Sequence, residues 1–405
     1  MVQSVIDPVV SVSTGPVVSL PVAQVCGDLL ELLGGVRDGR SDQGRDHPAS
    51  VVLALAAAAV VAGMKGYTAI TGWVSDVPAA VLTDLYRRAG AVSAGPPSKT
   101  TIWRVLTDAD AEAFDAAIGR WLTGLAGLAT PAAAGADSQG ATLVQVRLDG
   151  KTIRGAKDAE GNQMHLLAAL VGPHAAASVV AAQTEVGAKT NEVPMASVVL
   201  DQIDLTNKIV TADALHTVKA TAEHIHQRGG QFVLPVKENR QTLYDALDAL
   251  AWKDIPIAHR SVDTGHGRVT TRTIQVLPAP PNLPFPHVNQ VFLIERYVND
   301  LRGQPISAVA ALGVTSTTTD QASPADLARY VRQQWSIESL HWIRDTLYQE
   351  DKSQIKTRSG PRIMATLRNL AIGALRLAGR TDITEATRWA ARRIDRPFTI
   401  LGLTS

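Results

Sequence analysis

The feature that most limits how this chain can fold is a change of hydrophobic period partway along it. Residues 20–125 read as helices parted by Gly, Pro and Asp, among them "AQVCGDLLELL", "PASVVLALAAAAVVAGM", "AAVLTDLYRRAG" and "SKTTIWRVLTDADAEAFDAAIGRWLTGL". Ser98, after "GPP", is the expected N-cap of the last of these. Beyond "ATPAAAGADSQGAT", Ala129 to Thr142, which is a linker by composition, the pattern turns to strict alternation. In "LVQVRLDG" the side chains of Val144, Val146 and Leu148 fall on one face of a strand. A helical module must therefore precede a sheet-containing one.

The second part has a readable order. "MHLLAALVG" and "ASVVAAQTEV" continue as strands, "NEVPMASVVLDQI" as a helix, and "NKIVTADA" as a short strand ending in an acid. "HTVKATAEHIHQRGG" is a helix closed by glycine, and "QFVLPVK" is the next strand. The order β-β-β-α-β-α-β predicts a mixed α/β sheet with a meander at one end. Residues 240–322 interrupt it with "TRTIQVL", "QVFLIERYV" and "ISAVAALGVTST", a β-rich insertion. Ser323, Pro324 and Asp326 then open a helix expected to run on through "SIESLHWIRDTLYQED", followed by "PRIMATLRNLAIGALRLAG" and "ITEATRWAARRI". The expected divisions are 1–128 helical, 129–142 linker, 143–239 sheet, 240–322 insertion and 323–405 closing helices. Residues 1–18 form a Val/Ser-rich lead expected to be loosely held.

Composition excludes several classes. Cys26 is the only cysteine, so there is neither a disulfide framework nor a Cys-based zinc site, and a reducing cytoplasm fits. The run Val51 to Met64 is shorter than the roughly 18 residues a membrane span needs. No signal peptide is seen. From Arg329 onward there are 14 Lys/Arg against 7 Asp/Glu, whereas residues 1–140 hold 9 against 13. The basic end is compatible with a polyanionic partner, although a basic stretch is as often a solvated face. Thr100, Thr101 and Arg104 could face DNA in a helix-turn-helix, or Ile102, Trp103 and Leu106 could simply pack a bundle. His224 and His226 are two apart on a helix and do not share a face.

Three carboxylates are placed for chemistry. Asp149 and Asp213 are read at the ends of strands, where ligands of open α/β sheets gather, although an Asp there is more often a turn or cap residue. Glu338 shares a helix side with His341, Trp342 and Asp345, and is flanked by Trp335 and Ile337. Glu350 and Asp351, near Lys352 and Lys356, read as helix-end or salt-bridge residues. Two strand-end aspartates and a later glutamate suit a pair of hard divalent cations that clamp an in-line phosphoryl displacement.

The stretches "LDGKTIRGA", "KTNEVP", "IVTADALHT", "GGQFVLPVKEN", "GHGRVTTR", "QWSIESLHWIRDTLYQED" and "TLRNLAIGALR" resemble the DDE-type insertion-sequence transposases of the ISAs-type group, over most of residues 47–402. The resemblance implies an RNase H-like catalytic core with a β-rich insertion, preceded by an all-helical N-terminal domain that could bind DNA. It implies that Asp149, Asp213 and Glu338 are the catalytic metal ligands for two Mg²⁺ ions, with Mn²⁺ as a substitute. The expected partners are double-stranded DNA, as element ends and target, and a second copy of the chain; no membrane is expected. Lys151, Arg154, Lys237, Arg268, Lys356 and Arg358 are the candidate phosphate contacts, and His341 and Asp345 the candidate supports of the site. The wider superfamily often has Tyr, Arg and Lys where this chain has Val331, Gln334 and Asp345; the group itself usually has His and Asp at the last two. The rival readings are a non-catalytic DNA-binding protein that keeps the fold and a metal-dependent nuclease without strand transfer.

Overall fold

A computed structural model describes residues 27–41, 45–93, 95–128, 143–157, 160–187 and 190–404. Cys26, the lead 1–18, the linker 129–142 and the start of the first expected helix lie outside these. The described residues divide into two compact units, one of 143–149 and 204–339, the other of 27–128, 150–203 and 340–404.

In the second unit the N-terminal helices form as expected, at Leu29–Gly34, Ala49–Val61, Tyr67–Ser75 and Ala79–Arg88. Ala49–Val61 is apolar all round and buried from Val51 to Val61, which makes it a helix enclosed by others. No helix of the described residues is long and apolar enough to cross a membrane. The single helix expected from Ser98 onward is two, Lys99–Asp108 and Ala111–Leu125. Asp110 causes the break: its carboxylate accepts the N–H groups of Glu112 and Ala113, and Ala109 before it is extended. Ser98 caps the first piece by accepting from Thr101 N–H. Ile102 and Leu106 are buried there, while Trp103 is exposed.

The Gly360–Leu377 helix packs on Ala49–Val61, on Ala111–Leu125 and on a strand meander. That meander contains the second half of β1 (Val144–Lys157), β2 (Gln163–Gly172) and β3 (Val179–Val186). Gly119 lies so close to the meander that a Cβ would collide with the carbonyl oxygen of Ala181, so only glycine permits this helix–strand approach.

In the first unit the leading half of β1 runs parallel to β4 (Lys208–Thr211), and β4 parallel to β5 (Gln231–Val236). The insertion does not build a sheet of its own. Its last strand, β9 (Pro305–Thr315), pairs antiparallel with β5 and is followed outward by β8 (Gln290–Asp300), β7 (Arg268–Pro278) and β6 (His259–Gly265). β6 is a strand that periodicity did not reveal. The two-residue turn His266–Gly267, both at positive φ, sets its hairpin with β7. The strand order β3-β2-β1-β4-β5 is that of the expected RNase H-like core, with the β-rich insertion added beyond β5. Ile209, Val233, Ile274, Phe292, Leu327 and Tyr330 close the core between this sheet and the Pro324–Gln333 helix. That helix opens on a capping box, Ser323 with Asp326, and Pro324 at its first turn. It does not run through to Glu338: it ends at Gln333 and restarts as Ser336–Thr346 after a break at Gln334–Trp335.

Candidate active site

Strand register brings the two aspartates together. The last β1–β4 pair is Arg147↔Thr211. Asp149 and Asp213 each lie two residues further on, so they leave the carboxyl edge of adjacent parallel strands at equivalent positions. Such strands are about 4.8 Å apart. Asp149 does not end its strand, since β1 continues to Lys157; what ends there is its pairing with β4. Asp213 is also a cap: its Oδ1 accepts Leu215 N–H at 2.5 Å at the start of a short 3₁₀ turn, Ala214–His216.

Glu338 comes from the restarted helix. Half-burial raises its carboxyl above the ordinary glutamate value, and the negative charge of Asp213 raises it further. The acids are therefore linked in pairs, Asp149 with Asp213 by strand register and Glu338 with Asp213 through its charge. Among the described residues no three His, Cys, Asp or Glu side chains converge tightly enough to form a ready metal cage. Mg²⁺ does not require one, because it is commonly held by one or two carboxylates together with waters and substrate phosphate. All-oxygen donors and a carboxylate pair left in mutual repulsion fit that kind of ion.

A hydrogen-bond lattice that the sequence did not disclose ties the end of the Pro324–Gln333 helix, and Gln334 after it, to the strands. Gln145, Arg147 and Asp149 share one face of β1. Gln145 Nε2 donates to Tyr330 O and Thr211 Oγ1, both at 2.8 Å. Arg147, fully buried, donates from Nε to Gln333 O at 3.0 Å, as suits a cation at a helix C-terminus. Gln334 Nε2 donates to Leu148 O at 2.8 Å, and Thr211 donates to Gln334 Oε1. The available signal was the pair of polar residues alternating with valine and leucine in "VQVRLDG".

Of the six candidate phosphate contacts, Lys237 is exposed just past the end of β5, which runs parallel to β4, and Arg268 is exposed at the β6–β7 turn. In the other unit Arg154 and Lys356 are exposed, and Arg358 is exposed but pairs with Asp108 at 2.6 Å. Lys151 is different: its ammonium is buried against Asp345 at 2.6 Å and Asp351 at 3.6 Å. Asp345, expected to support Glu338, instead receives that lysine; burial raises its carboxyl and Lys151 opposes the rise. Desolvation, with Arg344 and Lys151 as neighbouring cations, pushes His341 down to about 3, so it is neutral at physiological pH. For Glu350 the salt-bridge reading holds and the helix-end one does not. The residue is wholly buried, bonded to Arg344 at 2.9 Å and Arg368 at 2.8 Å. Asp351 pairs with Lys151 and Arg154, not with the lysines that follow it.

A mixed sheet of this strand order, with acids at its carboxyl edge, defines an RNase H-like class of fold, and sequence comparison narrows it. Residues 141–373 match the family described as "Transposase DDE domain", and residues 30–122 match the one described as "DDE_Tnp_1-associated". The chain belongs to the DDE-type transposase family. It is 24% identical to "Putative transposase YncI" of Escherichia coli O157:H7, over 86% of this chain and 87% of that one. It is likewise 24% identical to "H repeat-associated putative transposase YhhI" of Escherichia coli K12, over 86% and 90%. A protein of Xanthobacter autotrophicus, "Uncharacterized protein in dhlA 3'region", is 29% identical over 69% of this chain and 91% of its own. Among solved structures, a piggyBac transposase synaptic complex with hairpin DNA aligns over 94% of this chain and 80% of its own, at 9% identity and a TM-score of 0.44.

Proposed function

We propose that this chain cuts DNA at the ends of an insertion sequence and joins the freed 3′-OH to target DNA, with Asp149, Asp213 and Glu338 as ligands of two Mg²⁺ ions, or Mn²⁺ in their place. The observation that supports it best is the equal offset of Asp149 and Asp213 beyond the last β1–β4 pair, with Glu338 in the field of Asp213. Divalent ions held by these carboxylates supply Lewis-acid stabilisation of the charge that develops on the reacting phosphate. In the cut, a water oxygen bonds to phosphorus and the bond to the 3′ oxygen breaks. In joining, that 3′ oxygen bonds to a target phosphorus and displaces the target's own 3′ oxygen. Both are in-line displacements, so one set of carboxylates serves both. The Leu215 N–H orients Asp213 for this work.

Lys237 and Arg268 are the phosphate contacts this reading uses from the unit of the acids, and Arg154, Lys356 and Arg358 from the other. Lys151 is left out, because its ammonium is already committed to Asp345 and Asp351. Two element ends call for at least two active sites, hence a homo-oligomer with a dimer as its simplest form. The test is a plasmid carrying the native element ends, incubated with Mg²⁺ and either wild type or Glu338→Gln. Cleaved and joined products from wild type alone support the reading. Cut ends that are never joined would make the protein a nuclease, binding without cutting would make it a DNA-binding protein, and equal activity of the two proteins removes Glu338 from the site.

A further inference from the structure

We infer that Gln334 is a positioning residue of this site, setting the reach of Glu338 to the two aspartates by bracing the break in its helix against both aspartate strands. The inference rests on the proposed role of the three acids and adds to it a residue that touches none of the reacting atoms.

The break itself needs a cause. Interruptions of helices usually come from Pro, Gly or an inserted side chain; this one is mild, since Gln334 keeps helical dihedrals, and it contains neither Pro nor Gly. Both polar atoms of the Gln334 side-chain amide bond the sheet. Its Nε2 donates to Leu148 O at 2.8 Å, on the residue before Asp149. Its Oε1 accepts from the hydroxyl of Thr211 at 2.5 Å, two residues before Asp213. One side chain thus bridges β1 and β4 immediately behind both aspartates. Gln334 also stands one helical turn before Glu338, and its own carbonyl accepts Ile337 N–H as the second helix begins.

This bracing opposes a real force. Glu338 and Asp213 are like charges, and without a cation they repel. A helix end free to tilt would relax by carrying Glu338 away. Gln145 and Arg147 secure the end of the preceding helix through Tyr330 and Gln333, so they hold the frame. Gln334 lies past that frame, on the segment that leads into Glu338. Thr211 couples the two layers, because its hydroxyl accepts from Gln145 and donates to Gln334.

The test uses the full chain, with Mn²⁺ as the probe, for four proteins: wild type, Gln334→Met, Thr211→Val and the double variant. Mn²⁺ binding without DNA is followed by the electron spin resonance of the free ion, together with melting temperature and single-turnover cleavage of end DNA. Gln334→Met is expected to lower both Mn²⁺ affinity and the maximal cleavage rate by about ten- to a hundredfold, the range for groups that orient metal ligands, with half-saturation by DNA changed less than about twofold. Thr211→Val is expected to lower both by about threefold or more, and the double variant to fall short of the product of the two single effects, because the changes share the Thr211–Gln334 bond while each also removes one bond of its own. A Gln334→Met protein that melts earlier yet binds Mn²⁺ and cleaves like wild type overturns the inference and leaves Gln334 a structural residue. Should Gln334→Met not fold, Thr211→Val decides alone, and unchanged Mn²⁺ affinity and rate in it overturn the inference. Glu338→Gln in parallel separates the two levels: if it binds Mn²⁺ and cleaves as wild type does, the role of the acids fails, and that of Gln334 with it.

Discussion

Glu338, in the proposed role, is a residue whose ionised form the fold disfavours. Half-burial and the charge of Asp213 both raise its carboxyl, so the folded state disfavours its ionised form. For an acid with a raised value the sign is fixed: the group costs nothing while protonated, and stability is lost as pH rises through its folded value. Near neutral pH, Glu338→Gln should therefore leave the metal-free protein as stable as wild type or more stable, by about 0.5 kcal/mol or less once solvent screening is allowed for. The same change should abolish the rise in melting temperature that Mg²⁺ gives wild type, and cleavage with it. Thermal melts with and without Mg²⁺ check both; a clear loss of metal-free stability would mean that Glu338 is held by an attraction. A raised carboxyl also means that protons compete with the cation, so Mg²⁺-dependent stabilisation should fade first on the acid side.

At the scale of elements, the Gly360–Leu377 helix is tied down by buried charge as much as by packing. Its Arg368 meets Glu350, which is also clasped by Arg344 of the Ser336–Thr346 helix. Its Arg362 and Thr366 bond Asp115 of the Ala111–Leu125 helix, and its Asn369 bonds Gln183 of β3. Burial by itself would raise the Glu350 carboxyl, but the guanidinium charges of Arg344 and Arg368 bring it down to about 2. A depressed carboxyl contributes stability that is complete above its unfolded value and disappears as pH falls through the folded one. The loss here should run from near 4.5 down to about 2. Glu350→Gln leaves two buried cations without their counter-ion and should cost about 3–5 kcal/mol, read from urea denaturation at neutral pH. A cost near zero would show that Arg344 and Arg368 find other partners.

Over the whole molecule, charge count and charge availability part company. The C-terminal excess of Lys/Arg suggested a basic face, yet Arg344, Arg362 and Arg368 are consumed in buried pairs, and Arg380 and Arg396 lie over the ring of Trp389. Lys237, exposed just past the end of β5, lies outside that stretch. Lys237→Ala should weaken binding to any duplex to a similar degree and lower the slope of log affinity against log salt by about 1. Fluorescence anisotropy across a salt series measures this; an unchanged slope would mean that Lys237 faces water in the complex. Legibility followed the same division. The periods in "LVQVRLDG" and "KIVTA" announced strands, and the residues after them announced acids. "HRSVDTG" carried no such period, because β6 is solvated and takes its shape from a hairpin turn and pairing with β7.

The sequence by itself determined most of the order of elements, the helical lead-in and the RNase H-like core, and it singled out the three acids as candidates. These rest on local periodicity and on motifs that survive as linear strings. Only the tertiary structure decided what each acid faces. Strand register set Asp149 beside Asp213, because the last paired residues lie two positions before each. The turn at Gln334–Trp335 set Glu338, because its amide bonds reach strands far away in sequence. In "SIESLHWIRDTLYQED", four acids that look alike on one helix proved to have different neighbours. Glu338 faces another carboxylate, Asp345 and Asp351 hold a lysine, and Glu350 is buried between two arginines. Burial and partner choice are properties of contacts distant along the chain, and local spacing does not encode them.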